Sequence, residues 1–180
     1  GAARDGPELL VDQHSHDSSD VRLAATIGIR RLHEKAEETK TLEDPNEYAG
    51  LAKFLEDKDE NIVVDAARGI HDVMTPSPIA LQTLAEMLNS TKLEREPLLR
   101  RSINANRLLG DGASAERLLA FATRTHPRGA MQEEALQLAV TWHRDLLVDR
   151  VLGFARVATT ASPRAMTRAL DQHFATPTQD

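Results

Sequence analysis

A nine-residue helical pattern occurs twice in this chain, at an offset of 41 positions. Val21-Arg-Leu-Ala-Ala-Thr-Ile-Gly-Ile29 aligns with Ile62-Val-Val-Asp-Ala-Ala-Arg-Gly-Ile70, so Val21 matches Ile62, Ala25 matches Ala66, Gly28 matches Gly69 and Ile29 matches Ile70. Small residues three apart share one helix face and admit a close neighbour, while the flanking aliphatic side chains fill the groove. Each block follows a short polar stretch, His16-Asp-Ser-Ser-Asp20 and Asp57-Lys-Asp-Glu-Asn61, preceded by another short helix. A weaker third copy runs Leu98-Leu-Arg-Arg-Ser-Ile-Asn-Ala105, with Ser102 and Ala105 at the small positions, and a fourth is Met131 to Ala139. One helix pair of this size cannot bury its apolar stripe alone, whereas stacked pairs share a core.

Composition agrees. The 180 residues include 25 Ala and 23 Leu against 6 aromatics, a helix former's balance poor in the residues that fill strands. Apolar residues at 41% and charged residues at 28% fit a globular protein, and the length fits one domain. Helical spacing interrupted by breakers predicts ten helices, over 7–14, 20–37, 46–56, 60–74, 78–89, 94–109, 113–123, 129–143, 146–157 and 163–174. Asp44-Pro45-Asn46-Glu47, Ser77-Pro78 and Ser162-Pro163 supply a capping side chain followed by proline at the first helical position. Gly110 suits a left-handed helix stop. No strand is expected.

Several function classes drop out. Without cysteine there is no disulfide, thiolate metal site, covalent c-type haem attachment or cysteine nucleophile. A net charge of −6 argues against a general binder of phosphate backbones, so no nucleic-acid partner is expected. No apolar run approaches the length of a membrane-spanning helix, so no membrane insertion is expected. The opening Gly1, in place of Met, is what a piece of a longer polypeptide would show, and the end of the chain reads as a frayed tail.

The candidate chemical motifs are weak. His14-Ser-His16 lacks a carboxylate partner at fixed spacing and reads as a solvated turn. His33-Glu34-Lys35-Ala36-Glu37 approaches the H-E-x-x-H zinc pattern but lacks the second imidazole, so it reads as solvated helix. Gly110-Asp-Gly-Ala-Ser-Ala115 matches a dinucleotide fingerprint by letter, yet a helix precedes it where a strand is required, so it reads as a helix stop and restart. No nucleophile-elbow signature occurs. Accordingly no catalytic residue, cofactor or metal is expected. Charge placement remains: second helices of the pairs carry Arg22, Arg30, Arg31, Arg68, Arg100, Arg101 and Arg107, which stacked pairs would gather on one surface. Asn104 and Asn106, poor residues for a helix interior, would bond to a neighbouring repeat or face a partner. The expected partner-binding surface is therefore Arg68, Arg100, Arg101, Asn104, Asn106 and Arg107.

The paired-helix unit, its acidic turn and the V/I-x-x-x-A-x-x-G/A-I/L second helix resemble the HEAT repeat. The succession Asp65-Ala-Ala-Arg-Gly-Ile-His-Asp72, Arg100-Arg-Ser-Ile-Asn-Ala-Asn-Arg107-Leu-Leu-Gly110, Glu134-Ala-Leu with Trp142, and Asp149-Arg-Val-Leu-Gly153 resembles the HEAT-repeat segment of large bacterial exported multidomain proteins of the haem-binding or membrane-bound dehydrogenase type. His143 stands where that family often has proline. The resemblance covers roughly residues 60–157. It implies an all-α, HEAT-like α-solenoid of about five antiparallel helix pairs over residues 1–176 (7–37, 46–74, 78–109, 113–143 and 146–174), with 177–180 as a tail. It also implies an extracytoplasmic, periplasmic location and a non-catalytic scaffold and spacer role inside a larger redox protein. Partners would be flanking domains or an acidic protein surface. The alternative is an enzyme on a HEAT-like scaffold, similar to bilin lyases or to an alkyl-base DNA glycosylase.

Overall fold

The computed structural model describes residues 6–90, 93–125, 129–144, 146–157 and 162–175. Those residues are mostly helical, as composition and periodicity require. The chain divides into two compact units, residues 1–84 and 85–180.

In the first unit, α1 (Glu8–Val11) runs on as a 3-10 turn over Asp12–Ser15, followed by α2 (Ser19–Thr39). A 3-10 helix, Pro45–Glu56, leads to α3 (Glu60–His71). Asp44 caps the 3-10 helix by accepting from Asn46 N at 2.8 Å, and Pro45 takes the first helical position, as the sequence predicts. Helix α2 packs on α3 and on Pro45–Glu56, around Ile29, Leu51, Phe54, Ile62, Ala66 and Ile70. Helix α4 (Pro78–Glu86) starts here and ends past the unit boundary; Ser77 Oγ accepts from Ala80 N at 3.3 Å.

The repeat is one of contacts as well as letters. A Cβ on Gly28 would lie 2.9 Å from Leu10 Cδ1, and a Cβ on Gly69 would lie 3.0 Å from Leu51 Cδ1. Leu10 and Leu51 are themselves separated by the repeat offset, as are the two glycines. The turns repeat too: Ser18 N donates to His16 Nδ1 at 3.0 Å, and Asp59 N donates to Asp57 Oδ1 at 2.9 Å. Ser18 and Asp59 are the N-caps of α2 and α3. Each second helix thus enters through the same side-chain turn and takes the preceding helix's leucine into its glycine notch.

The second unit continues from α4 through a 3-10 turn, Met87–Asn89, to α5 (Glu96–Leu109), α6 (Gly112–Ala122), α7 (Ala130–Val140) and α8 (Pro163–Ala175). Gly110 ends α5 in the left-handed conformation at φ 67°, and Asp111 caps α6 by accepting from Ser114 N at 2.7 Å. The glycine-rich hexapeptide is thus a helix stop and restart. Helix α6 packs against α5, α7 and α8 over a core of Leu98, Ile103, Leu118, Phe121, Ala135 and Trp142.

Residues 146–157 correct the sequence reading. Instead of a helix they form an antiparallel hairpin, β1 (Leu146–Val148) with β2 (Ala155–Val157), Leu147 opposite Arg156. The cause is local. The Asp149 carboxylate accepts from Val151 N at 2.8 Å and Leu152 N at 3.1 Å, a turn that competes with helix. Gly153 closes the turn at φ 75° and donates to the Asp149 carbonyl at 2.7 Å. The expected pair over 146–174 therefore lacks its first helix. The expected tail, 177–180, lies outside the described residues. Among the described residues no helix is long and apolar enough to cross a membrane.

Candidate functional site

The expected partner-binding surface lies mostly on helix α5, and the structure turns most of that helix inward. Asn104 and Asn106 are 0% exposed, Arg107 is 1% exposed, and Arg101 is also buried. The physical reason is that α6, α7 and the Met87–Asn89 turn all pack on α5. Burial is tolerated because most of the polar groups meet partners, Asn104 Oδ1 being an exception. Asn106 Nδ2 donates to the Ala85 carbonyl at 3.0 Å and the Ser102 carbonyl at 2.8 Å, and its Oδ1 accepts from Arg117 Nε at 2.8 Å. Asn104 Nδ2 donates to the Arg100 carbonyl at 2.8 Å and to Glu134 Oε1 at 3.3 Å. Arg101 Nη1 donates to the Pro97 carbonyl at 3.0 Å. The asparagines therefore bond to neighbouring helices and turns and do not face a partner.

Arg100 is the half-buried member. Its Nε donates to Glu134 Oε2 at 3.1 Å and its Nη2 lies 2.9 Å from Glu96 Oε1. Glu134, buried on α7, accepts from both Arg100 and Asn104, a joint the sequence did not reveal. Arg68 is exposed, belongs to the first unit, and among the described residues makes a loose approach of 3.9 Å to Asp65.

A different concavity emerges where α5 ends. Arg107 places its guanidinium over the Trp142 ring, 5.3 Å from the centroid, and donates to the Arg144 carbonyl. Beyond it opens a pocket of about 200 Å³ lined by Arg107, Gln137, Leu138, Thr141, Arg144, Val148 and Arg150. Arg150 donates to Gln137 Oε1. Sequence reasoning missed this pocket because Arg144 and Arg150 reach it only when residues 146–157 fold back as a hairpin.

Two of the histidine environments in the first unit fall on the motifs read from the sequence. His14, Ser15, His16, Asp17, Arg22 and Asp57 border a cleft of about 320 Å³. Arg22 spans it, its Nε donating to Asp57 Oδ2 at 2.6 Å and its Nη2 to Asp57 Oδ1 at 3.0 Å. Its Nη1 donates to the His16 carbonyl at 2.8 Å and the Asp17 carbonyl at 3.0 Å. The Arg22 guanidinium holds the Asp57 carboxyl below the usual carboxylate range. Among the described residues no three His, Asp or Glu side chains group as a metal site.

His33 corrects the expectation of a solvated helix. It is 1% exposed and stacked on Tyr48, with ring centroids 4.3 Å apart and planes 3° from parallel. Burial pushes its imidazole pKa down; Glu37, with Oε1 4.0 Å from Nε2, opposes that shift. The Glu37 carboxylate also accepts from Met74 N at 3.0 Å and Thr75 N at 2.5 Å, tying α2 to the chain that leaves α3.

Compared with models of protein families, with curated proteins and with solved structures, the chain matches none.

Proposed function

We propose that this chain is a non-catalytic scaffold, built of HEAT-like helix pairs, that offers a helical surface to a protein partner or to flanking domains of a larger exported redox protein. One observation supports the reading above others: the same contact and the same turn recur at the repeat offset, Leu10 at Gly28 and Leu51 at Gly69, His16 at Ser18 and Asp57 at Asp59. Recurrence of nearest-neighbour contacts is what a repeat architecture needs, and a site built for chemistry has no use for it. The extracytoplasmic location belongs to the same proposal and rests on the order of motifs over residues 60–157. For an acidic protein surface, the exposed cations suited to contact are Arg31 on α2 and Arg68 on α3. Arg100 is less suited, because it is engaged by Glu134 and Glu96.

The test reverses those two charges. The full chain and the double variant Arg31→Glu, Arg68→Glu are used to capture partners in the native host, with circular dichroism confirming an unchanged fold. The expected outcome is a protein partner retained by the parent chain and weakened about tenfold or more by the variant. A partner set indifferent to the charge reversal, or turnover of a bilin or an alkylated DNA base by the purified chain, would end the proposal.

A further inference from the structure

We infer that residues 74–76 act as a pH-sensitive flap over His33, held shut by Glu37 near neutral pH and opened when the imidazole takes up a proton. The His33 ring is 1% exposed and stacked on Tyr48, and neither of its nitrogens lies open to solvent or completes a hydrogen bond. Glu37, one helical turn further along α2, binds the chain that leaves α3: its carboxylate accepts from Met74 N at 3.0 Å and from Thr75 N at 2.5 Å. The oxygen that takes the Thr75 amide, Oε1, is also the one 4.0 Å from His33 Nε2. One carboxylate thus closes the chain over the ring and stands beside the ring's titrating atom.

Of the walls around the ring, the flap is the one that can move. Helix α2 carries the ring itself, and Pro45–Glu56 presents Tyr48 from an element anchored by buried Leu51 and Phe54. Residues 74–76 belong to neither helix nor strand, and Met74 and Thr75 are exposed, while Val73 and Ser77 at the two ends are buried. Ser77 is pinned further, its Oγ donating to Asn46 Oδ1 at 3.0 Å. Movement is therefore confined to a short stretch between fixed ends, the kind of segment that opens locally. The ionisable groups acting on the ring are Glu37 and Glu34 on α2, the latter held by Arg30 at 2.8 Å. Pro45–Glu56 turns the Tyr48 ring toward it, and the chain leaving α3 turns the Thr75 backbone; His71, at the end of that helix, pairs with Asp72 at 2.9 Å. Burial lowers the ring's proton affinity below its ordinary 6.5, by more than the carboxylates and the Thr75 backbone restore. Lifting the flap admits water and removes that penalty, so the open state takes the proton first. As pH falls below 6.5, proton uptake draws the population toward the open state, by up to about tenfold per pH unit for one proton.

The experiment follows amide hydrogen exchange of the full chain by NMR, residue by residue, from about pH 7.5 to about pH 5, corrected for the intrinsic pH dependence of exchange. Expected is a protection of the Met74 and Thr75 amides that falls below pH 6.5 by up to about tenfold per pH unit, while the Ala66 and Ile70 amides inside α3 keep theirs. His33→Phe should hold the flap protected across the whole range. Glu37→Gln leaves the ring in place and should lower flap protection at neutral pH about tenfold, the effect of losing charge-assisted hydrogen bonds, while the acid slope persists. Should the phenylalanine variant fail to fold, the parent chain and Glu37→Gln still decide the matter. Flap protection that is flat or rises in acid, that is lost together with that of Ala66 and Ile70, or that survives Glu37→Gln unchanged would each overturn the inference.

Discussion

At Asn106 a single amide serves three partners, donating to the Ala85 and Ser102 carbonyls and accepting from Arg117. Replacing it with alanine leaves the Ala85 carbonyl without that donor at a fully buried position. Half-buried Arg117 can turn toward water. The Ser102 carbonyl keeps its place in the helix ladder. The expected cost is therefore dominated by one stranded acceptor plus the lost packing, about 2–3 kcal/mol, read as a shift of the urea midpoint at unchanged slope. Asn106→Asp should cost more, since it removes both donors and buries a charge. A loss below about 0.5 kcal/mol for Asn106→Ala, the usual range of surface substitutions, would show that the amide is not the joint described.

At the scale of elements, three glycines make a graded series. A Cβ on Gly50 would fall on both Val11 methyls, one of them 2.9 Å away, and Val11 is β-branched and buried, so it cannot turn aside. A Cβ on Gly69 would press on Arg30 Cβ at 3.1 Å as well as on Leu51, both close to backbone or core. At Gly28 the obstacle is only the far end of half-buried Leu10. Alanine also gains roughly 1 kcal/mol of helix propensity over glycine inside α2 and α3. Against an overpacking cost of about 1–3 kcal/mol, Gly69→Ala should be net destabilising by about 1–2 kcal/mol and Gly28→Ala close to neutral. Gly50→Ala should cost most. Chemical denaturation of the three variants checks the order, and a Gly28→Ala protein less stable than Gly69→Ala would refute it.

For the molecule as a whole, His33 and Asp57 both contribute to how stability answers to acid. Burial holds the His33 imidazole below its ordinary value of 6.5, so the unfolded chain takes the proton first. Stability is therefore complete above that value and declines as pH falls through 6.5 toward the lower folded value. Asp57 acts further down. Arg22 holds its carboxyl below the ordinary 3.8, so its contribution stands above 3.8 and is lost as pH falls through the lower folded value. Denaturant midpoints measured from about pH 7.5 to about pH 3 should fall in two stages. His33→Phe, which keeps an aromatic face for Tyr48, should flatten the upper stage, and Asp57→Asn the lower one. An upper stage unaltered in His33→Phe would place its origin elsewhere.

The amino-acid sequence by itself determined the helices, most of their stops and caps, and the recurrence of the Gly28 block at Gly69, because propensity, periodicity and turn chemistry act between neighbours along the chain. It could not determine which polar side chains turn inward. Asn104, Asn106, Arg107 and His33 look surface-bound on any local scale, and only packing from several sides supplies the carbonyls, rings and carboxylates that make their burial tolerable. Periodicity places a helix at 146–157, and it is the turn closed by Asp149 and Gly153 that makes it a hairpin and brings Arg144, Val148 and Arg150 to one pocket with Arg107. Local free energies of about a few tenths of a kcal/mol per residue write helices into a sequence, but convergence of distant charges is a property of three-dimensional closure alone.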